Sequence, residues 1–305
     1  MSLGTFMYDY IEGIIPKERI LLEEPMSRHT TFKVGGEAKC MLLIEKEEEL
    51  IRLIPYLNRI EQDYFLLGNG SNLLVGDRGY RGIIMKLGEG MNKIAVEGEC
   101  IRVQAGALLS QTAVAAKDAG LSGMEFAAGI PGTVGGGIVM NAGAYGGEMK
   151  QITRSVKVMD QEGKILILDN DTMEFGYRTS IIKNRPFVVL EVELQLKAGN
   201  KEEIQLKMEE LMEKRRSKQP LNFPSAGSTF KRPEGYFAGK LIMEAGMRGY
   251  RIGGAQVSEK HCGFIVNAGK ATAADIREVI EEVQERVKKR FNVMLEPEVI
   301  FLGDF

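Results

Sequence analysis

The sequence predicts a strand-rich α+β protein, and three observations lead there. Short apolar runs bounded by glycine or polar residues recur along the chain, as at 64–67, 82–87 and 187–196. Two pairs of such runs are joined by tight glycine turns, Gly98-Glu99 and Gln161-Glu162-Gly163. Amphipathic helical stretches stand between them at intervals too irregular for the regular βαβ alternation of a doubly wound sheet. At 305 residues, 44% hydrophobic and 27% charged, the chain has room for two or three domains and a substantial core.

Taken in order, residues 7–22 read as a helix running into an irregular segment that holds Arg28 to Gly36. Residues 40–44 are a short apolar strand. The helix over 47–57 presents Leu50, Leu53, Ile54 and Leu57 on one face. The strand 64–67 runs straight into the polar glycine turn Gly68-Asn69-Gly70-Ser71-Asn72 and the apolar run 73–75, and 82–87 is another strand. The runs 93–97 and 100–104 pair as a hairpin, and the helix over 108–119 is stopped by Gly120. After a glycine-rich run come the hairpin 155–168, the loop 175–180 and the strand 187–196. Residues 198–201 form a boundary. Ile204, Met208, Leu211 and Met212 then stripe a helix ending in Lys214-Arg215-Arg216, whose basic end suits the helix dipole or a phosphate. The helix 272–291 is capped by Thr272 and lined by Ile276, Val279, Ile280, Val283, Val287 and Phe291. The tail, 293–302, reads as a strand with Glu296 and Glu298 on one side and Pro297 favouring an edge.

Composition excludes several classes of function. Lys plus Arg number 40 against 42 Asp plus Glu, a net charge of −2 that gives no pull toward nucleic acid or an anionic membrane. No apolar run approaches the roughly 20 residues of a membrane span, and the N-terminal stretch lacks the features of a signal peptide. Cys40, Cys100 and Cys262 are far apart, which fits a reducing cytoplasm rather than a disulfide framework. With only His29 and His261, no metal site is expected.

Two glycine segments stand out. Eight of the 19 residues from Gly129 to Gly147 are glycine, yet apolar residues separate them, unlike a flexible linker. Both this run and the 68–72 turn can bring main-chain N–H groups up to phosphate oxygens, or can simply be tight turns in a packed sheet. Neither is a P-loop or a Rossmann fingerprint. His29, lacking an evident partner acid, reads as a structural histidine.

Six motifs together carry a resemblance: HTTFKVGG at 29–36, LGNGSNLLV at 67–75, GIPGTVGGGIVMNAGAYGGE at 129–148, GYRTS at 176–180, GSTFKRP at 227–233 and LEPEV at 295–299. In order and spacing the chain resembles the UDP-N-acetylenolpyruvoylglucosamine reductases, flavoenzymes of cell-wall precursor synthesis, in their shorter second type. The resemblance implies a two-part FAD-binding fold of the vanillyl-alcohol-oxidase kind followed by a substrate-binding α+β domain. The expected divisions are 1–80 and 81–198 for the flavin and 199–305 for substrate. It implies non-covalent FAD, its pyrophosphate held by Gly68, Asn69, Gly70, Ser71 and Asn72 and by Pro131, Gly132, Thr133, Gly135 and Gly136, with Gly106, Asn141 and Ala144 near the cofactor.

The resemblance further implies that NADPH reduces the flavin and that the hydride then passes to the vinyl carbon of UDP-N-acetylglucosamine enolpyruvate. Arg178 would bind the substrate carboxylate, which its bidentate fork suits. Glu298 would act with it as acid or polarising group, its pKa raised beside the substrate carboxylate, with Glu296 as fallback. Ser228 would protonate the carbanion; as a nucleophile it lacks a Gly-x-Ser-x-Gly elbow, and neither histidine has a sequence reason to lie near it. Tyr177, Arg215, Gln219 and Lys231 are the candidate substrate contacts. A cytoplasmic monomer is expected. The alternatives are another FAD-dependent oxidase or dehydrogenase of the same fold, or a flavin-binding protein without catalysis.

Overall fold

Asn267 and Asp77 each tie a distant N-terminal segment to the C-terminal part of the chain. In the computed structural model, which describes residues 3–305, one compact unit takes Met1–Leu22, Cys40–Asn69 and Gly82–Met212, and the other takes Glu23–Lys39, Gly70–Arg81 and Glu213–Phe305. These units are cut differently from the contiguous lengths 1–80, 81–198 and 199–305. Asn267 Nδ2 donates to the Phe32 carbonyl at 3.1 Å, tying residues 23–39 to the C-terminal segment. The Asp77 carboxylate accepts the N–H groups of Ala273 and Ala274 at 2.8 and 2.9 Å and does the same for residues 70–81. Met1 and Ser2, part of the N-terminal stretch read above, lie outside the described residues.

Two sheets lie mostly or wholly in the first unit. One has the strand order Ile20–Pro25, Glu37–Ile44, Tyr80–Leu87, Tyr64–Leu67. Tyr64–Leu67 and Tyr80–Leu87 pair in parallel, Tyr64 opposite Ile83, so the Asn69-Gly70 turn does not close a hairpin. The helix Glu47–Arg59 covers this sheet with the predicted stripe, and Leu50, Leu53, Ile54 and Leu57 are fully buried beside Leu42, Ile44 and Met85. Its start is fixed by Glu49, whose carboxylate accepts the N–H groups of Glu45 and Lys46 and pairs with Arg19 at 2.6 Å. Burial pushes the Glu49 carboxyl up, but Arg19 and the two amides outweigh it and hold the group below its ordinary value. The second sheet is antiparallel, in the order Ile165–Asp169, Thr153–Met159, Val188–Gln195, Cys100–Gln104, Ile94–Glu97, and contains both predicted hairpins. The helix Leu109–Asp118 and the short helix Val134–Val139 close its core through Leu109, Val134 and Ile138.

The N-terminal expectation is corrected. The helix is Leu3–Glu12, not 7–22; a 3₁₀ turn at Lys17–Arg19 and the strand Ile20–Pro25 follow. Gly13 and Pro16 account for the break, because neither supports a continuing helix.

In the second unit, three antiparallel strands, Arg251–Ile252, Ala255–Val257 and Ile265–Asn267, share a core with the helix Ala273–Phe291. Thr272 caps that helix as predicted: its Oγ1 accepts from Asp275 N, and the Asp275 carboxylate accepts from Thr272 N, both at 3.0 Å. The tail is less regular than expected, since only Ile300–Leu302 forms a strand, parallel to Leu73–Val75. Residues 293–299 instead make a single bridge, Pro297 to Phe230. Among the described residues no helix is long and apolar enough to cross a membrane.

Candidate active site

In the first unit Gly68 and Asn69 meet the second glycine segment. Asn69 Nδ2 donates to the Pro131 carbonyl at 2.6 Å, and Thr133 lies against Gly68, where an added Cβ would fall 2.4 Å from Thr133 Oγ1. Gly68 therefore leaves room for the threonine that caps Val134–Val139, whose Oγ1 accepts from Gly136 N at 3.3 Å. The second segment commits more of its amides than expected. Val134 N donates to Ala107 O, Gly135 N to Ala105 O and Gly137 N to Thr133 O. Gly135 serves packing, because a Cβ there would lie 2.9 Å from Ala105 Cβ. Of the amides from Gly132 to Gly137, those of Gly132, Thr133 and Gly136 enter no backbone hydrogen bond among the described residues, and that of Gly136 is taken by Thr133 Oγ1. Gly106 likewise packs closely, its N–H on the Met91 carbonyl at 2.9 Å.

Arg178 sits in a strained turn. Gly176 and Thr179 bridge each other, and Arg178 takes a left-handed φ of 55°. A non-glycine residue held there stores roughly 1–2 kcal/mol, as functional loops often do. Its guanidinium donates to the Gly143 carbonyl at 3.4 Å, beside Ala144, and lies 5.2 Å from the ring centre of the exposed Tyr177. The loop is hung from Asn141, whose buried carboxamide donates to Gly176 O at 3.0 Å and accepts from Lys150 N at 2.9 Å. Asn141 thus spends its side chain on holding the arginine loop.

In the second unit Gly70 has a φ of 61°, and a Cβ there would lie 2.0 Å from the His29 carbonyl. No backbone hydrogen bond of the described residues uses the amides of Gly68 to Asn72. Asn72 Nδ2 donates to the Glu298 carbonyl at 3.0 Å, and Ile300 N donates to Asn72 O at 2.9 Å. The glutamate is held from the other side too: Glu298 N donates to Thr229 O at 2.8 Å, next to Ser228. Hydrogen bonds thus join Asn72 and Thr229, the neighbour of Ser228, to the Glu298 backbone. Ser228 Oγ donates to the Phe230 carbonyl at 3.2 Å. Glu296, the fallback acid, is exposed and ion-paired to Lys231, so those two satisfy each other. Gln219 follows Arg215 by one helical turn, its N–H on the Arg215 carbonyl at 2.8 Å, and its Oε1 is buried with no hydrogen-bond partner among the described residues.

Three features were not anticipated. His29 does have an acid partner, Glu24 Oε1 at 2.9 Å. Thr31, whose N–H donates to Gly70 O at 3.2 Å, has a buried Oγ1 with no hydrogen-bond partner among the described residues; the HTTFKVGG motif was its available signal. His261 lies beside Gly263, close to Ser228. Among the described residues no group of three or more histidines, cysteines or carboxylates could hold a metal ion.

Comparisons with known proteins agree on one family. A model of the UDP-N-acetylenolpyruvoylglucosamine reductase C-terminal domain matches residues 219–302, and a model of an FAD binding domain matches residues 38–169. The UDP-N-acetylenolpyruvoylglucosamine reductase of Caldanaerobacter subterraneus subsp. tengcongensis is 50% identical over 302 residues, covering 99% of this chain and 100% of the relative. The crystal structure of UDP-N-acetylenolpyruvylglucosamine reductase from Thermus caldophilus superposes with a TM-score of 0.80 at 37% identity, covering 93% of this chain and 98% of that one. Phl p 4, a grass pollen allergen with glucose dehydrogenase activity, matches at a TM-score of 0.51 and 14% identity, covering 64% of this chain and 44% of its own; that likeness shows a shared fold alone.

Proposed function

The chain belongs to the UDP-N-acetylenolpyruvoylglucosamine reductase family and is an FAD-containing oxidoreductase, and from that premise we propose that it reduces the enolpyruvyl ether of UDP-N-acetylglucosamine enolpyruvate to UDP-N-acetylmuramate, with NADPH as electron source. The observation that carries this reading is the match to a reductase of that name across 99% of the chain. Its place is peptidoglycan precursor synthesis in the cytoplasm, acting as a monomer.

The residues fit a flavin dinucleotide. The uncommitted amides of Gly68 to Asn72, with those of Gly132 and Thr133, suit the pyrophosphate oxygens, and Gly70 supplies the left-handed backbone the turn requires. Lengths 1–80 and 81–198 serve the flavin in this reading, and 199–305 the sugar nucleotide. Bound FAD would supply two-electron chemistry, accepting hydride from NADPH and delivering it to the vinyl carbon.

The chain's own residues handle charge and protons. Charge developing next to the substrate carboxylate calls for a fixed cation, and Arg178 in its strained, Asn141-anchored turn supplies one. Glu298 adds an acid or polarising group at the same carboxylate, with its backbone clamped between Asn72 and Thr229. Ser228 gives its proton to the carbanionic carbon. Arg215, Gln219, Lys231 and Tyr177 contact the sugar nucleotide, and the unpaired Gln219 oxygen supports this for that residue.

The test is product analysis with a mutant control. The wild-type protein with NADPH and UDP-N-acetylglucosamine enolpyruvate should yield a sugar nucleotide two hydrogens heavier. Ser228→Ala should still be bleached by NADPH at the normal rate while product formation slows about 10²–10⁴-fold. Normal turnover by Ser228→Ala would remove the serine from this role.

A further inference from the structure

His261 is a half-buried titratable group that the mechanism above does not use. Its imidazole is tightly held: Nδ1 accepts the Gly263 N–H at 3.1 Å, and the Phe264 ring meets it edge-on at 5.0 Å between centroids. Two glycines make room for it. A Cβ on Gly239 would lie 3.3 Å from the ring, and one on Gly263 would lie 3.0 Å from the ring and 3.6 Å from Ser228 Oγ. The space beside Gly263 is thus bounded by both side chains. The Gly263 carbonyl in turn accepts the N–H of Thr229, the residue after Ser228, at 2.8 Å. Thr229 Oγ1 accepts Ile265 N at 3.0 Å, so Thr229 is held twice by the turn at 261–264 and the start of the strand Ile265–Asn267. Because Nδ1 is an acceptor, the ring proton sits on Nε2 in the neutral form. Burial pushes the imidazole below its ordinary value, which favours that form.

We propose that His261 is a positioning residue for Ser228: its Nδ1 holds the Gly263 N–H, the Gly263 carbonyl holds the Thr229 N–H, and together they fix the backbone from which the Ser228 hydroxyl reaches the Phe230 carbonyl. The inference rests on the reading of Ser228 as proton donor. It does not make His261 the acid, since a neutral imidazole whose Nδ1 is already occupied by an N–H donor has no readily given proton.

The chain contains only two histidines, so the ring nitrogens can be read directly by long-range ¹H–¹⁵N spectroscopy of the holoenzyme. One ring, lost from the spectrum in His261→Asn, should show an unprotonated Nδ1 and protonated Nε2 at neutral pH; the opposite tautomer would overturn the proposal. The kinetic test follows flavin absorbance after rapid anaerobic mixing. His261→Phe should accept electrons from NADPH at the wild-type rate. Its reoxidation by UDP-N-acetylglucosamine enolpyruvate should slow on the order of 10²-fold, with a larger solvent deuterium isotope effect and unchanged substrate affinity. His261→Asn, whose carboxamide oxygen can accept the Gly263 N–H, should recover most of that rate. Should His261→Phe fail to fold, Gly263→Ala replaces it, because its added methyl presses on the ring while leaving the hydrogen-bonding groups in place; it should slow reoxidation in the same way. Wild-type reoxidation by His261→Phe or by Gly263→Ala, with Ser228→Ala slow, would overturn the positioning role alone. Wild-type reoxidation by Ser228→Ala would instead overturn the reading on which it rests.

Discussion

Gly68→Ala tests the packing of Gly68 against Thr133. The new Cβ would lie 2.4 Å from Thr133 Oγ1, but 3.3 and 3.5 Å from Thr133 Cγ2 and Cβ. The conflict is therefore with the hydroxyl that caps Val134–Val139, and moving it loses the Gly136 N–H bond. Overpacking of this kind costs about 1–3 kcal/mol, and loss of an N-cap costs about 1 kcal/mol. In a Thr133→Ala background the cap is already gone and the nearest Thr133 atom left is Cβ at 3.5 Å, an ordinary contact. Gly68→Ala should then add almost nothing, giving a coupling of about 1–3 kcal/mol between the sites. For a chain of this size that is a difference of roughly 2–4 °C in melting temperature per kcal/mol. Circular-dichroism melts of the four proteins, with and without FAD, measure it. FAD affinity should fall in Gly68→Ala and be partly restored in the double variant. Equal effects of Gly68→Ala in the wild-type and Thr133→Ala backgrounds would refute the packing argument.

Asn72→Ala removes a donor to the Glu298 carbonyl, so flavin reoxidation by the enolpyruvyl substrate should slow at least as much as FAD binding weakens. A loss confined to FAD affinity, seen by titration, would show that Asn72 does not hold the glutamate. A pH prediction follows from Asp275. Burial pushes its carboxyl up, but the amides of Thr272 and Gly254 and the Thr272 hydroxyl outweigh this and hold it below its ordinary 3.8. A depressed carboxyl contributes stability that is complete above the unfolded value and is lost as pH falls through the folded one. The melting-temperature gap between wild type and Asp275→Asn should therefore be constant above about pH 5 and shrink below about pH 4; a constant gap down to about pH 3 would count against the capping role.

Elements set by local chemistry were legible in the sequence. Thr272 and the stripe from Ile276 to Val287 marked their helix, and Gly98 and Gly163 marked two hairpins, because caps and turns act within a few residues. What local pattern could not reveal was long-range partnership. The parallel pairing of Tyr64–Leu67 with Tyr80–Leu87 is long-range, and so are the bonds, such as Asp77 to Ala273 and Asn267 to Phe32, that hold 23–39 and 70–81 in the C-terminal unit. The same holds at the candidate site. Motifs singled out Arg178, Ser228 and Glu298, but not that Asn72 and Thr229 clamp the Glu298 backbone. Nor did they place His261 beside Gly263, or commit the amides of Val134 to Gly137 within the fold.

The most direct test of the reductase reading is the visible spectrum of the purified protein under anaerobic conditions. The account predicts flavin absorbance that bleaches with NADPH and recovers on adding UDP-N-acetylglucosamine enolpyruvate, with UDP-N-acetylmuramate as product. Bleaching that recovers only when air is admitted would contradict it and point to an oxidase of the same fold; a protein that takes up no FAD would contradict the flavin reading altogether.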